Sequence, residues 1–436
     1  MHRLGITLLF IILTLSSLRA QDSLRLMETD SLPPVQIDSL TPEPVNNPRM
    51  AQTDSLTYRQ YLDGDFRSLI ETSHKARQEG ISFYYLNYRT AIAYYALKNY
   101  AKAADFYKKT LSETLDDPTL KESLYYAYLL SGQKENAAIL ARTMAPHTQA
   151  IVGYTPSVMD HISLSGGYMT NDNKPDLLSN TGFDSLNQYQ DMIFSALGIG
   201  FKLSERAKLK LGYQFYRTRF QGTAGALLSR ERQLAQHQLV AALEFFTPGN
   251  VTWGFAGGYY NIERNDDGKN MNYSLTAFLN KRFTYTVPEI AVSYSNFGGV
   301  DQYQAKGSLT YYPLGNLDFY GISSAAVIYN PDRWTTEQYI FSQHFGVKLF
   351  GPLWLDANAS LGNHLNYISE RSFLVFDTYD PIKGMAGLSL SLYLKKMTLS
   401  TGYQWQQKEG TAFSATNYTT YKYNNHLINI ALSWNF

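Results

Sequence analysis

The chain has 436 residues, with 38 Lys+Arg against 37 Asp+Glu for a formal charge of +1. That balance gives no footing for nucleic acid or for a strongly acidic partner. There is no cysteine, which rules out disulfides, thiolate metal sites, thiol nucleophiles and a lipid-modified cysteine anchor. Rings are abundant, at 14% of residues with 35 Tyr and 23 Phe, yet the mean hydropathy is −0.29. Many rings in a chain that is polar on average suit surfaces lying between oil and water.

Residues 1–20, MHRLGITLLFIILTLSSLRA, set a short basic start before an apolar run from Leu4 to Leu15. Roughly 20 apolar residues are needed for a membrane-spanning helix, so this shorter run is expected to be a secretory signal peptide. Residues 21–50 read as a disordered linker, with Pro33, Pro34, Pro42, Pro44 and Pro48 among polar residues and a drifting Asp-Ser-Leu repeat.

Residues 51–147 have another rhythm. Phe66, Tyr100 and Lys134 lie 34 residues apart, as do Gly64, Lys98 and Gly132. The middle copy, LNYRTAIAYYALKNYAKAADFYKKTL, has small residues where paired helices would touch. The period resembles that of tetratricopeptide arrays, which implies about three helix–turn–helix units forming a short solenoid that binds a protein or peptide. Mapping the period onto such an array places Tyr58, Tyr61, Tyr85, Tyr88, Tyr95 and Tyr126 along its groove. Rings in a groove stack on sugar faces or pack against peptide side chains; rings that stitch helices together give the same pattern.

From residue 156 to 436 the pattern is alternation at period two, in about fourteen segments of some ten residues. Short links (204–207, 247–250, 284–288, 313–316, 350–352, 395–397) alternate with longer ones (170–188, 218–232, 263–270, 296–302, 330–337, 363–381, 407–423). An even strand number with this long–short rhythm predicts an antiparallel transmembrane β-barrel with periplasmic turns and external loops. In the closing run NNHLINIALSWNF, His426, Ile428, Ile430, Leu432, Trp434 and Phe436 share one face and small polar residues the other. Only a closed barrel lets such strands lie in hydrocarbon with every backbone group paired. Leu211, Tyr213, Leu388, Leu390, Leu399 and Tyr403 are expected to face outward. Lys210, Glu244, Arg282, Glu289, Lys306, Lys348 and Asp356 are expected to line the lumen, a set of mixed sign that names no cargo charge. Gly198, Gly200, Gly212 and Gly254 are expected to leave room for a solvated passage. The segment Leu317–Tyr329 shows no clear face.

Catalytic chemistry finds little support. His161 and Ser163 on the first strand form a His-x-Ser pair pointing inward, with no third group to orient the base. The other histidines are scattered, and NDDGKN at 265–270 lacks the glutamate of a calcium loop. Neither an enzyme, a metal nor a cofactor is expected.

The order of parts resembles outer-membrane proteins that join periplasmic tetratricopeptide repeats to a carboxy-terminal barrel: exopolysaccharide-export porins, surface lipoprotein assembly modifiers and YaiO-like barrels. The resemblance implies an outer-membrane location with the repeats in the periplasm. It also implies capture of a polysaccharide or protein client for export or surface assembly, and recognition of Phe436 by the barrel assembly machinery. The alternative is a passive diffusion porin whose repeats scaffold periplasmic partners.

Overall fold

The computed structural model describes residues 48–113, 116–172, 185–224, 229–264, 268–331, 337–373, 375–376, 380–413 and 418–436. The expected signal peptide, residues 21–47 of the linker and part of NDDGKN lie outside them.

Seven helices come first among the described residues: α1 (Pro48–Leu62), α2 (Phe66–Gln78), α3 (Tyr84–Ala96), α4 (Tyr100–Leu111), α5 (Pro118–Leu130), α6 (Lys134–Ala141) and α7 (Pro146–Ile151). Residues 48–50, expected to belong to the linker, instead open α1. Proline at the first helical position loses no hydrogen bond, and its fixed φ suits the helix. The helical part runs on to Ile151, past the expected boundary at 147. The 34-residue period has a direct physical basis. The second helix of each pair starts at Phe66, Tyr100 or Lys134, and the preceding turn takes a left-handed residue at Gly64, Lys98 or Gly132. Asp65 and Asn99, also 34 apart, accept from the backbone N–H of Ser68 and Lys102 and so cap their helices. Ala91, Ala103, Ala127 and Ala137 are wholly buried, allowing close helix approach around Leu86, Leu120 and Leu124.

Fourteen strands then close into one antiparallel barrel. They are β1 (Met159–Asn171), β2 (Ser185–Ser204), β3 (Ala207–Ala224), β4 (Ser229–Thr247), β5 (Val251–Arg264), β6 (Gly268–Lys281), β7 (Thr286–Phe297), β8 (Val300–Tyr311), β9 (Phe319–Tyr329), β10 (Glu337–Phe350), β11 (Leu353–Gly362), β14 (Ile382–Tyr393), β15 (Met397–Phe413) and β16 (Tyr418–Asn435). Two short strands, β12 (Tyr367–Ile368) and β13 (Val375–Phe376), form a separate hairpin. Neighbours in sequence pair throughout, and β1 joins β16 from His161–Asn435 to Asn171–Asn425, leaving no open edge.

The expected faces are observed. Leu432, Trp434 and Phe436 are exposed while Asn429, Ser433 and Asn435 are buried. Outside, Leu275 and Ile290 are 60% and 65% exposed, forming an apolar belt all round the barrel. From His426 to Phe436 is roughly 34 Å of strand, or about 25 Å along the axis at the usual tilt, which matches the apolar band of a membrane barrel.

Several long links are shorter than expected. The 296–302 link is a turn at Gly298–Gly299 with both residues at positive φ, and much of 218–232 and 407–423 is strand. Beyond the apolar belt both faces of a strand meet water, so alternation fades although pairing continues. On β9, Tyr320, Ala326 and Ile328 point inward and are buried. An apolar inward face beside an apolar outward face is why this segment shows no clear parity.

Candidate functional site

The largest departure from expectation is the link 363–381, expected to be an external loop. Residues 363–373 instead fold into the lumen and bind the far wall. Gln302 donates through Nε2 to Asn366 O (2.9 Å) and Gln304 to Ile368 O (2.7 Å), while Gln304 Oε1 accepts from Ile368 N (3.0 Å). Lys306 Nζ donates to Ser369 O at 3.1 Å. Tyr260 OH donates to Ser372 O (3.1 Å), and Ser274 donates to the Ser372 hydroxyl (2.9 Å). Gln214 donates to Phe373 O. This strap thus bonds to β3, β5, β6 and β8 after leaving β11.

Arg371 is its charged centre. Its guanidinium donates to Glu244 Oε1 and Glu289 Oε2, each at 2.7 Å, and lies 3.3 Å from the centroid of the Phe278 ring. Lys210 Nζ reaches Glu244 at 3.0 Å, and Asn280 donates to Glu289 at 3.1 Å. Arg371 and Ser372 sit at φ 49° and 73°, a conformation that costs a non-glycine residue about 1 kcal/mol or more and persists only where surrounding bonds enforce it. At its root His364 bonds Ser360 Oγ (2.7 Å) and Ile382 O (2.9 Å). With Nδ1 facing a carbonyl, the ring donates there and accepts the serine proton at Nε2. His364 therefore pins the strap where it enters the barrel.

The strap divides the lumen. A cavity of ≈ 230 Å³ lies on the long-link side, bounded by Tyr189, Phe220, Gln238 and Lys408. Another of ≈ 260 Å³ lies toward the helices, bounded by Lys208, Lys210, Arg282 and Glu135. Glu289, Glu370 and Arg371 border both. The inward glycines do not hold a passage open. A Cβ on Gly212 would meet Phe373 at 2.9 Å, one on Gly200 would meet His161 at 2.6 Å, and one on Gly254 would meet Phe278 at 2.6 Å. They make room for neighbouring side chains, Gly198 for the Ser163 hydroxyl.

Other expected lumen charges are paired locally. Asp356 accepts from Tyr320 OH (2.5 Å) and lies 3.0 Å from His344 Nε2. Lys348 lies 4.0 Å from Asp318 at the short-turn end. Arg282 leaves the lumen wall for its mouth, donating to Gly132 O (3.2 Å) and Ser131 O of the α5–α6 turn. His161 and Ser163 face inward, but the imidazole Nδ1 meets Asp160 at 3.2 Å, not the serine. Among the described residues, no group of acidic or imidazole side chains fits a metal ion.

The helical unit sits on the short turns. Ala101 N donates to Gly315 O (2.8 Å), and Asn316 to Lys98 O (3.0 Å). Asn99 bonds Tyr285 OH at 3.0 Å and Asn136 bonds Asn250 at 3.0 Å. Thr284 donates to Asp105, Glu135 meets Lys208 at 3.2 Å, and Arg142 meets Glu205 at 2.5 Å. Two of the three left-handed turns that carry the 34-residue period, at Lys98 and Gly132, dock on the barrel.

Of the six expected groove tyrosines, Tyr88 is wholly buried against Tyr107 and Ala103, so it offers no ring to a client. Burial first, then the Asp117 carboxylate and Tyr61, push its hydroxyl up to about 12. Tyr58, Tyr61, Tyr85, Tyr95 and Tyr126 are half-buried, so part of each ring stays accessible. Tyr58 and Tyr85 flank the buried Arg89 guanidinium at 5.0 and 5.5 Å, and Arg89 pairs with buried Asp54 at 2.6 Å. That ion pair, between helices 35 residues apart, carries no local signature.

No protein-family model matches the chain, and no curated protein matches it. Among solved structures it is similar to the CymD monoaromatic hydrocarbon channel, at 8% identity and TM-score 0.44 over 66% of this chain and 91% of that one. It is similar to a Pseudomonas aeruginosa FadL homologue at 9% identity and TM-score 0.44, over 68% and 94%. A bacterial polysaccharide outer membrane secretin matches at 8% identity and TM-score 0.36, over 65% and 100%. At such identities and TM-scores the likeness assigns neither cargo nor partner to this chain.

Proposed function

We propose that this chain is an outer-membrane barrel that exports or assembles a client at the cell surface through a lumen closed at rest. The helical unit faces the periplasm at the short-turn mouth. The observation that carries the reading is the strap bonded from wall to wall across the lumen by Gln302, Gln304, Lys306 and the Glu244–Arg371–Glu289 clamp. Two charge-assisted bonds hold that segment across the bore, which favours a closed resting lumen over a freely open one. The apolar outer belt supports the membrane location. The paired helices with their 34-residue phase support a tetratricopeptide-like unit. The accessible parts of Tyr58, Tyr61, Tyr85, Tyr95 and Tyr126 suit a polysaccharide or peptide client. Phe436 at the end of β16 suits recognition by the assembly machinery.

The test is planar-bilayer recording of the purified chain. The wild type is expected to stay closed, and replacing 366–373 by a Gly/Ser linker is expected to give steady conductance. A wild type that conducts steadily without any client would favour the passive porin and end this reading. Capture of the client by the full chain, lost on changing Tyr61 and Tyr126 with the barrel intact, tests the role of the helices.

A further inference from the structure

We infer that the helical unit is the trigger of the strap: lifting the α5–α6 turn off the barrel releases Arg371. The inference rests on the strap being the closure proposed above. Both carboxylates that hold Arg371 stand beside a cation that grips the helical unit. Glu244 lies directly opposite Lys208 in the β3–β4 register, and Lys208 is the partner of Glu135 on α6 at 3.2 Å. Glu289 lies opposite Asn280, two residues before Arg282, which follows the end of β6, borders the same cavity as Glu289 and donates to Ser131 O and Gly132 O.

Undocking that turn changes the charge balance at the clamp. Lys208 loses Glu135 and keeps Asp160, 3.7 Å away. Arg282 loses two carbonyl acceptors and keeps the Tyr312 ring at 5.0 Å. Glu244 and Glu289 border the same cavity as these two long side chains. Two more cations then compete for the two carboxylates on which Arg371 depends, in a partly desolvated site where charges are weakly screened. Arg371 and Ser372 are also held at left-handed φ, so a weakened clamp lets the segment relax outward. A client that pulls on the helices is thereby coupled to the bore without touching the strap, through a two-state element biased from a second site.

The experiment uses the full chain in planar bilayers and reads the open fraction. Glu135→Lys sets a cation against Lys208 and is expected to raise the open fraction at least tenfold. Because the chain has no cysteine, Asn136→Cys with Asn250→Cys places two thiols at a docking contact, where the asparagine side chains hydrogen-bond at 3.0 Å, for a reversible lock. Oxidation of this pair in the Glu135→Lys background is expected to restore closure, and reduction to undo it. If the sulfurs fail to join, the Glu135→Lys arm decides alone. Helical circular dichroism and heat-dependent gel mobility report that each variant is folded. A Glu135→Lys barrel as closed as the wild type, or one that stays open when locked, overturns the trigger. A barrel that also stays closed when 366–373 are replaced by a Gly/Ser linker shows instead that the strap is not the closure.

Discussion

Arg371→Ala isolates the clamp. Arg371 is 9% exposed and donates to two carboxylates at 2.7 Å. Removing one member of a buried ion pair costs about 3–5 kcal/mol, because the remaining charge stays buried without compensation. Here the penalty is softened, since Glu244 keeps Lys210 at 3.0 Å and Glu289 keeps Asn280 at 3.1 Å. About 2–3 kcal/mol of closure is therefore expected to be lost, a shift of roughly 30- to 150-fold in the closed-to-open ratio. Arg371→Lys, which offers one point charge in place of a planar fork, is expected to fall between. The assay is the open fraction in planar bilayers, with heat-dependent gel mobility as the check on folding. An Arg371→Ala barrel with the closed fraction of the wild type refutes the reasoning, because the strap would then be held by its backbone bonds alone.

Three further outcomes follow from other parts of the molecule. Leu275→Arg puts a charge on the outer belt at a residue 60% exposed, and is expected to cost about 2–4 kcal/mol in a bilayer; unchanged folding in lipid would show that this face does not meet hydrocarbon. Arg89→Ala strands the buried Asp54 carboxylate and is expected to destabilise the helical unit by about 3–5 kcal/mol, whereas Arg89→Met with Asp54→Leu is expected to be near neutral; melting followed by helical circular dichroism checks both. Alkali is expected to loosen the helices. Tyr88, Tyr125 and Tyr128 are each pushed up to about 12, chiefly by burial, so the unfolded state loses these protons first. The stability they contribute is full below about pH 10 and is lost as pH rises toward 12; helix content unchanged across that window would contradict it.

The barrel was legible because its two solvents write themselves into alternate residues, as in Leu388, Leu390 and Leu399 against Ser389, Ser391 and Ser400. The helix pairs were legible because each turn needs a left-handed residue and each contact a small one. The strap was hidden, since NHLNYISERSFLVFDTYDP has the mixture of polar and aromatic residues of any surface link. Its placement depends on Gln302, Gln304, Glu244 and Glu289, more than 60 residues away. One trace existed on β9: Tyr320, Ala326 and Ile328 give it an apolar inward face, and such a face requires a cover, here supplied to Ala326 and Ile328 by Tyr367. Tyr88 was misplaced because the repeat period fixes position along the array, but not whether a ring is open or covered.

The seam between β1 and β16 makes the two ends of the sheet depend on each other. Without residues 418–435 the other thirteen barrel strands would keep two bare margins, at β1 and β15, that hydrocarbon cannot satisfy. A chain shortened before residue 418 is therefore expected to lose the whole barrel rather than one strand of it.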